Sequence, residues 1–420
     1  MPAAAEAPME GIVVTARRRE EQLERVPVSM AAISGDALRQ QNIVVANDLQ
    51  FAVPGLSVTG VQGSREDPPI SLRGQGQTFG GALPGVQSYF NEVPIPGSVS
   101  SLYDMESIQV LKGPQGTLFG RNTTGGAILY APRRPQHEFE GYVAARVGNL
   151  DLREIEGAVN VPFGEKAALR LSGDILRRDG YTRDLTTGKK LDDQHRNNYR
   201  ASLRLWLSEA LTTDFVVQGY DIKQNGGSLV LYDAPANGLV SLFFPQYQIQ
   251  QYKAQQLANG PRKTRTVPVF PQDFRRKNWF ASNITTLELG GDVTAKNIIA
   301  LQQTKRGFNT SYLAVPQPIQ FSGYSKPGFL NPQGKLGGTR QFSEEFQLSG
   351  ASEKLKWVAG LSYIEEKPAG ILSDTLVTFG PPGGPFNPRL ALANVVAKDY
   401  GIFAQGTYDL DAVTDGLSIT

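Results

Sequence analysis

The chain holds no cysteine among its 420 residues. Disulfides, thiolate nucleophiles and cysteine-ligated metal centres are therefore excluded. Histidine is nearly as scarce: His137 and His195 are the only two, a thin stock for a metal cluster or a His-based triad. No stretch approaches the roughly 18 consecutive apolar residues of a membrane-crossing helix, and mean hydropathy is −0.27. A membrane-crossing barrel passes that test unseen, because its strands alternate. Neither sign of charge is in excess; the net formal charge is +2, so no global field points to nucleic acid or an anionic surface. The opening Met1-Pro2-Ala3-Ala4-Ala5 lacks the charged and apolar regions of a secretory signal. For an envelope protein, the expectation is a signal already removed or a start lying elsewhere.

What is abundant is glycine (45) and proline (27), the mark of a turn-rich, mostly β chain. Residues 1–9 read as a flexible leader. Residues 10–135 are dense in both turn formers, and Pro132 and Pro135 close this part. From about Glu138 to Thr420 the character changes to alternating runs. In 167–175, Leu169, Leu171 and Ile175 share one parity, and Arg170, Ser172 and Asp174 the other. In 198–207, Tyr199, Ala201, Leu203, Leu205 and Leu207 face opposite Asn198, Arg200, Ser202 and Arg204. The same period-two pattern recurs in 355–363 and 400–408, and less cleanly in 276–288 and 292–302.

Short turns are expected near 162–166, 208–212, 289–292, 350–354 and 410–416, and long connections near 178–196, 225–275, 305–338 and 366–395. Only the connection near 148–153 breaks the alternation. Tight turns at one end and long loops at the other are the pattern of an outer-membrane barrel. A large soluble β protein is the alternative. The runs give 10–11 strands. A plugged barrel of about 22 would need on the order of 300 further residues, so a partial antiparallel barrel is expected.

The most specific stretch is Asp104-Met105-Glu106-Ser107-Ile108-Gln109-Val110-Leu111-Lys112-Gly113-Pro114-Gln115-Gly116, continuing through Gly120-Arg121-Asn122 to Gly125-Gly126-Ala127-Ile128. It resembles the plug signature of TonB-dependent outer-membrane receptors. Three stretches precede it in the family's order: Phe51-Ala52-Val53-Pro54-Gly55-Leu56-Ser57-Val58, Ile70-Ser71-Leu72-Arg73-Gly74 and Tyr89-Phe90-Asn91-Glu92-Val93-Pro94-Ile95. A phosphate-binding loop does not fit, since no Gly-Lys-Ser/Thr follows a strand. The resemblance implies an α+β plug over 17–135 inside the transmembrane β wall of 138–420.

Glu10-Gly11-Ile12-Val13-Val14-Thr15-Ala16 resembles a TonB box, a β-prone segment able to add as a strand to the sheet edge of periplasmic TonB. The other reading of Ile12-Val13-Val14 is a first plug strand. Arg73 and Arg121 stand where the family places arginines facing acidic groups on the wall. In 342–349, Glu345 and Gln347 share the lumen parity, so Glu345 is expected to pair with Arg73 or Arg121, with ordinary lumen polarity as the alternative. Glu344 falls on the lipid parity, which places it near the membrane interface unless a bulge shifts the register. Candidate substrate contacts are Gln62, Arg65, Gln75, Gln77, Phe79 and Tyr89 of the plug, with Tyr220, Tyr232 and Tyr312 of the wall.

The resemblance implies energised import of a scarce extracellular small molecule, with TonB and outer-membrane lipid as partners and no nucleic acid. No cofactor and no metal are expected, and no enzymatic step. A ferric siderophore is the first expected substrate. Oligosaccharides or other organic nutrients are the second, because this version of the motifs resembles expanded receptor sets of environmental bacteria. A passive porin-like channel and a soluble β-rich binding protein are the readings from other classes.

Overall fold

The computed structural model describes residues 13–14, 17–19, 21–22, 26, 28–58, 69–76, 84–228, 230–233, 235–237, 248–260, 262–264, 273–311, 320–322, 324–325, 335–369, 374–378, 389–391, 396–410 and 418–420. Its largest sheet is a continuous antiparallel wall. The strands run in chain order: Glu140–Gly148, Leu152–Phe163, Ala167–Arg178, Gln194–Trp206, Leu211–Gln224, Asp273–Gly290, Val293–Ser311, Lys335–Ala351, Leu355–Pro368, Ala397–Asp409 and Ser418–Ile419. Every neighbour in sequence is a neighbour in the sheet, which is what tight hairpins at one end and loops at the other produce.

The parity read from sequence has a definite direction. In the third strand Ala168, Arg170, Asp174 and Leu176 are buried, whereas Leu171 and Ile175 are 45% and 52% exposed. Val143, Val147, Ile155, Val217, Leu301, Leu361 and Ile402 are also exposed on the wall. An apolar outside and a polar, covered inside is the inversion expected of a wall with lipid behind it. Glu344 is exposed on the outward parity, and its pairing with Ile299 and Tyr363 runs through without a bulge. The register shift considered for it does not occur.

The polar faces enclose a second unit. Its five-stranded mixed sheet has the order Met30–Ser34, Met105–Lys112, Gly126–Pro132, Val86–Phe90, Val93–Ile95. The Gly-Gly-Ala-Ile motif opens its central strand. Gly126 has φ +145°, and a Cβ there would lie 2.0 Å from the Leu111 carbonyl oxygen, so only glycine lets the two strands approach. A helix, Gly35–Gln40, follows the first strand, with the Ser34 hydroxyl accepting from the Ala37 amide as N-cap. Leu49, Leu72, Phe90, Ile108, Val110 and Ile128 form the buried centre. That apolar cluster continues into wall residues Val216, Phe280, Ile284, Ile298 and Ala300. Phe90 meets Phe280 edge-on at 5.4 Å between ring centroids.

Candidate functional site

The chemistry of the molecule lies along the seam between plug and wall, where inward polar side chains of the wall meet plug groups that have lost water. The deepest tie joins Asp104 to Arg170 of the third wall strand. Arg170 donates through Nε at 2.9 Å and Nη2 at 2.5 Å to the two carboxylate oxygens, and both side chains are almost wholly buried. This two-pronged geometry is the strong form of an ion pair. Asp104 sits at φ +48°, a conformation that Asp tolerates better than most residues. Its carbonyl oxygen also accepts from Arg200 Nη1 at 3.1 Å.

A second tie forms at the hairpin joining Val86–Phe90 to Val93–Ile95. Its two turn residues, Asn91 and Glu92, have φ of 49° and 66°, the two-residue turn that matches strand twist. Positive φ at Glu92 is strained, and surroundings that fix the residue hold it there. Asn91 donates to Ser282 Oγ at 3.1 Å. Lys296 places Nζ 3.2 Å from both Glu92 carboxylate oxygens. Burial pushes the Glu92 carboxyl up, but Lys296, then Arg134 and Arg18, outweigh it and hold the group below the usual carboxylate range. Beyond the turn, Gln302 and Gln341 both donate to the Pro94 carbonyl oxygen at 2.8 Å.

The third tie lies next to the chain's first ladder. Val13–Val14 pairs antiparallel with Glu21–Gln22, so this part of the expected TonB box is engaged within the chain; Glu10, Gly11, Ile12, Thr15 and Ala16 lie outside the described residues. Between the two short strands, Arg17 donates to Thr407 Oγ1 of the tenth wall strand at 2.9 Å. Arg18 is buried and spans the seam. It donates to the carbonyl oxygens of Leu118 and Glu92, both at 3.2 Å, and lies 4.6 Å from the centroid of the Phe119 ring. Its Nη2 stands 3.1 Å from Glu345 Oε2.

The expected pairing of Glu345 with Arg73 or Arg121 is thereby corrected. Glu345 does face the lumen, but its cation is Arg18. Arg73 donates to Ser29 Oγ at 2.9 Å. Arg121 does reach the wall, meeting Asp399 at 2.9 Å and Glu366 at 3.9 Å. The family motif suggested which arginines are special; docking of the two units decides which one each carboxylate meets.

The substrate candidates divide. Tyr89 is 3% exposed, packed edge-on against Phe119 and beside Arg18. A ring so covered cannot touch an incoming molecule, so its assignment as a contact is corrected to a core role. Burial raises its phenol. Tyr220 is buried under Arg276, 5.3 Å from the ring, and lines a cavity of about 30 Å³ with plug residues Pro96 and Ser98–Ser101. Tyr232 is 87% exposed and Gln75 is exposed. Gln62, Arg65, Gln77, Phe79 and Tyr312 lie outside the described residues.

Sequence reasoning missed Arg170, Arg200, Lys296 and Arg18. The first three carried a usable signal: a cation at the inward parity of an otherwise alternating strand. Arg18 carried none, being one of three arginines in a row.

A strand wall that is apolar outside, polar inside and fastened to a stopper defines a plugged barrel of the outer membrane. The model of the TonB-dependent receptor plug domain matches residues 22–127. The pesticin receptor of Yersinia pestis is 29% identical over 143 residues, which is 33% of this chain and 21% of that protein. The iron-regulated outer membrane virulence protein of Vibrio cholerae is 27% identical over 40% of this chain and 28% of its own length. Among solved structures, the ferric yersiniabactin uptake receptor FyuA of Yersinia pestis superposes with a TM-score of 0.67 at 18% identity, over 91% of this chain and 62% of that one. FpvA of P. aeruginosa bound to a heterologous pyoverdine gives 0.71 at 13% identity, over 95% and 52%. Residues 22–127 thus match the plug domain of TonB-dependent receptors, and the described chain shares the fold of outer-membrane receptors with such a plug. The chain spans about half to three-fifths of those solved receptors and 21–28% of those curated relatives in alignment.

Proposed function

We propose that the chain is the plug and first wall strands of an importer that admits a ferric siderophore and is driven through TonB. What carries the reading is the stoppered bore. Asp104–Arg170, Glu92–Lys296 and Arg18–Glu345 hold a folded unit against the inner face, so passage needs work to move the plug. A passive channel needs no such obstruction. The work enters where the plug begins: the Val13–Val14 ladder can exchange its internal partner for the edge of TonB, and the pull is transmitted to Arg17 and Arg18. No bond of the cargo is broken in this reading. Iron as the cargo is supported by similarity to receptors named for ferric yersiniabactin and for iron regulation.

The test compares deletion and parent strains for growth under iron limitation, for growth on single carbon sources, and for radiolabelled ferric-siderophore uptake with and without TonB. Loss of uptake in both the deletion and the TonB-deficient strain is expected. Unchanged iron uptake with lost growth on one carbon source would overturn the siderophore and favour an organic nutrient. Uptake that persists without TonB would overturn the energised mechanism.

A further inference from the structure

Within the membrane crossing, the outward face of the wall carries a polar patch. Strand Val293–Ser311 has 19 residues, and a tilted strand crosses hydrocarbon in about 9–11. Counted from the short turn at Val293, Asn297 lies inside that crossing. Its chain neighbours Lys296 and Ile298 point inward, to Glu92 and to the apolar centre, so Asn297 points out. The strand pairing continues it sideways into Thr285 of the sixth strand and Thr213 of the fifth. Asn283 follows on the same parity as Thr285. Four polar side chains thus lie together on a face whose other members include exposed Phe215, Val217, Leu301 and Phe346.

Hydrocarbon supplies no hydrogen-bond partners, so polar groups within it must satisfy one another. Three of the four do. Asn283 donates through Nδ2 to Thr213 Oγ1 at 2.7 Å and to the Asp214 carbonyl oxygen at 3.2 Å. Thr285 donates to Asn283 Oδ1 at 3.1 Å, and the Thr213 hydroxyl lies 2.9 Å from that of Thr285. Asn297 stands apart: among the described residues its side chain makes no hydrogen bond. Its amide keeps two N–H donors and an acceptor oxygen. Ala295, Ile299, Thr285 and Phe346 surround it. None of these is charged, so nothing beside the amide selects an ionic partner. Ala295 and Thr285 are small enough to let a second surface come close. An amide is its own complement, and a two-fold axis sets a residue beside it against the same residue of a second copy.

We propose that two copies of the chain meet in the membrane through this patch, about a two-fold axis beside Asn297. The two Asn297 amides exchange reciprocal hydrogen bonds, each donating to the other's oxygen. Ile299, Leu301 and Phe346 pack around them and keep lipid from the pair. The proposal depends on the outward face lying in lipid and not on what the plug admits, so it can fail without touching the transport reading.

The test uses the full receptor in its own outer membrane. The chain contains no cysteine, so a single introduced one reports without background. Oxidation of native vesicles should join Ile299→Cys copies into a covalent dimer, since a disulfide needs Cα atoms within about 7 Å. Leu171→Cys, outward on the third strand, should stay monomeric. Energy transfer between two labelled populations in lipid vesicles then reads the affinity. Asn297→Val should weaken the dimer about tenfold by removing two interfacial hydrogen bonds, whereas Asn297→Gln, which keeps the amide, should stay within about threefold. Val suits a lipid-facing strand position, so the barrel should still form; if unheated gels show otherwise, the cysteine comparison decides alone. Equal cross-linking at both cysteines, an adduct of any mass but twice the receptor, or an affinity unchanged in Asn297→Val would overturn the proposal. Ferric-siderophore uptake measured alongside keeps the two readings apart: a monomer that still imports overturns only the dimer.

Discussion

Arg170→Met should loosen the plug far more than the loss of one contact suggests. Asp104 and Arg170 are both excluded from water, at 0% and 2% side-chain exposure. Removing the guanidinium leaves the Asp104 carboxylate buried, and the neighbouring Arg200 is committed to the backbone oxygens of Asp104 and Tyr103. Breaking a buried pair from one side costs about 3–5 kcal/mol. Glu140 also loses its partner, but it is 38% exposed and is rehydrated cheaply. The double variant Arg170→Met with Asp104→Asn removes the stranded charge, and Asn accepts the positive φ at that position. It should recover most of the loss. The assay is amide hydrogen exchange in Met105–Lys112, the plug strand that begins at the tie. If opening of the plug limits exchange, the single variant should speed it by about two to four decades, and the double variant by about one. A single variant within tenfold of the parent, or a double variant worse than the single, would refute the idea that a stranded charge is what costs.

Three further outcomes follow from the same physics. Gly126→Ala drives a Cβ onto the Leu111 carbonyl at a φ that L-residues avoid, so the plug's urea midpoint should fall by the equivalent of about 2 kcal/mol or more; an unchanged midpoint would mean the central strands can spread at no cost. Glu92 has a folded-state pKa below its ordinary 4.5, so its stabilisation is complete above that value and is lost as pH falls below it, through the depressed folded value. Exchange in 91–95 should therefore quicken only under that acid condition, and Lys296→Met should shrink the pH dependence. Ile402→Arg, at an outward position 87% exposed, should cost about 2–4 kcal/mol of barrel folding in lipid vesicles if it lies near the midplane, with little cost expected if that face meets water.

Much of the wall was legible because a strand writes its two faces alternately into the chain. The parity of Arg170, Ser172 and Asp174 against Leu171 and Ile175 needs no tertiary knowledge, and lumen placement of Glu345 follows from the same count. Its partner does not. Glu345 and Arg18 are separated by most of the chain, and their meeting depends on the angle at which the plug seats, which no local pattern encodes. Tyr89 failed for a related reason: Phe119 covers one face of its strand and Phe280 the other, and neither layer can be read from the strand's own sequence. The lengths of the long connections were readable from the spacing of turn formers, but the placement of their side chains was not.

One apolar cluster runs from Ile108 and Phe90 across to Phe280 and Ile298 without a break. Stopper and cylinder thus share an apolar contact as well as a polar one, and each shelters part of the other from water. Neither could be withdrawn whole without wetting both. A stepwise softening that leaves this seam closed therefore costs less than ejecting the stopper as a rigid body.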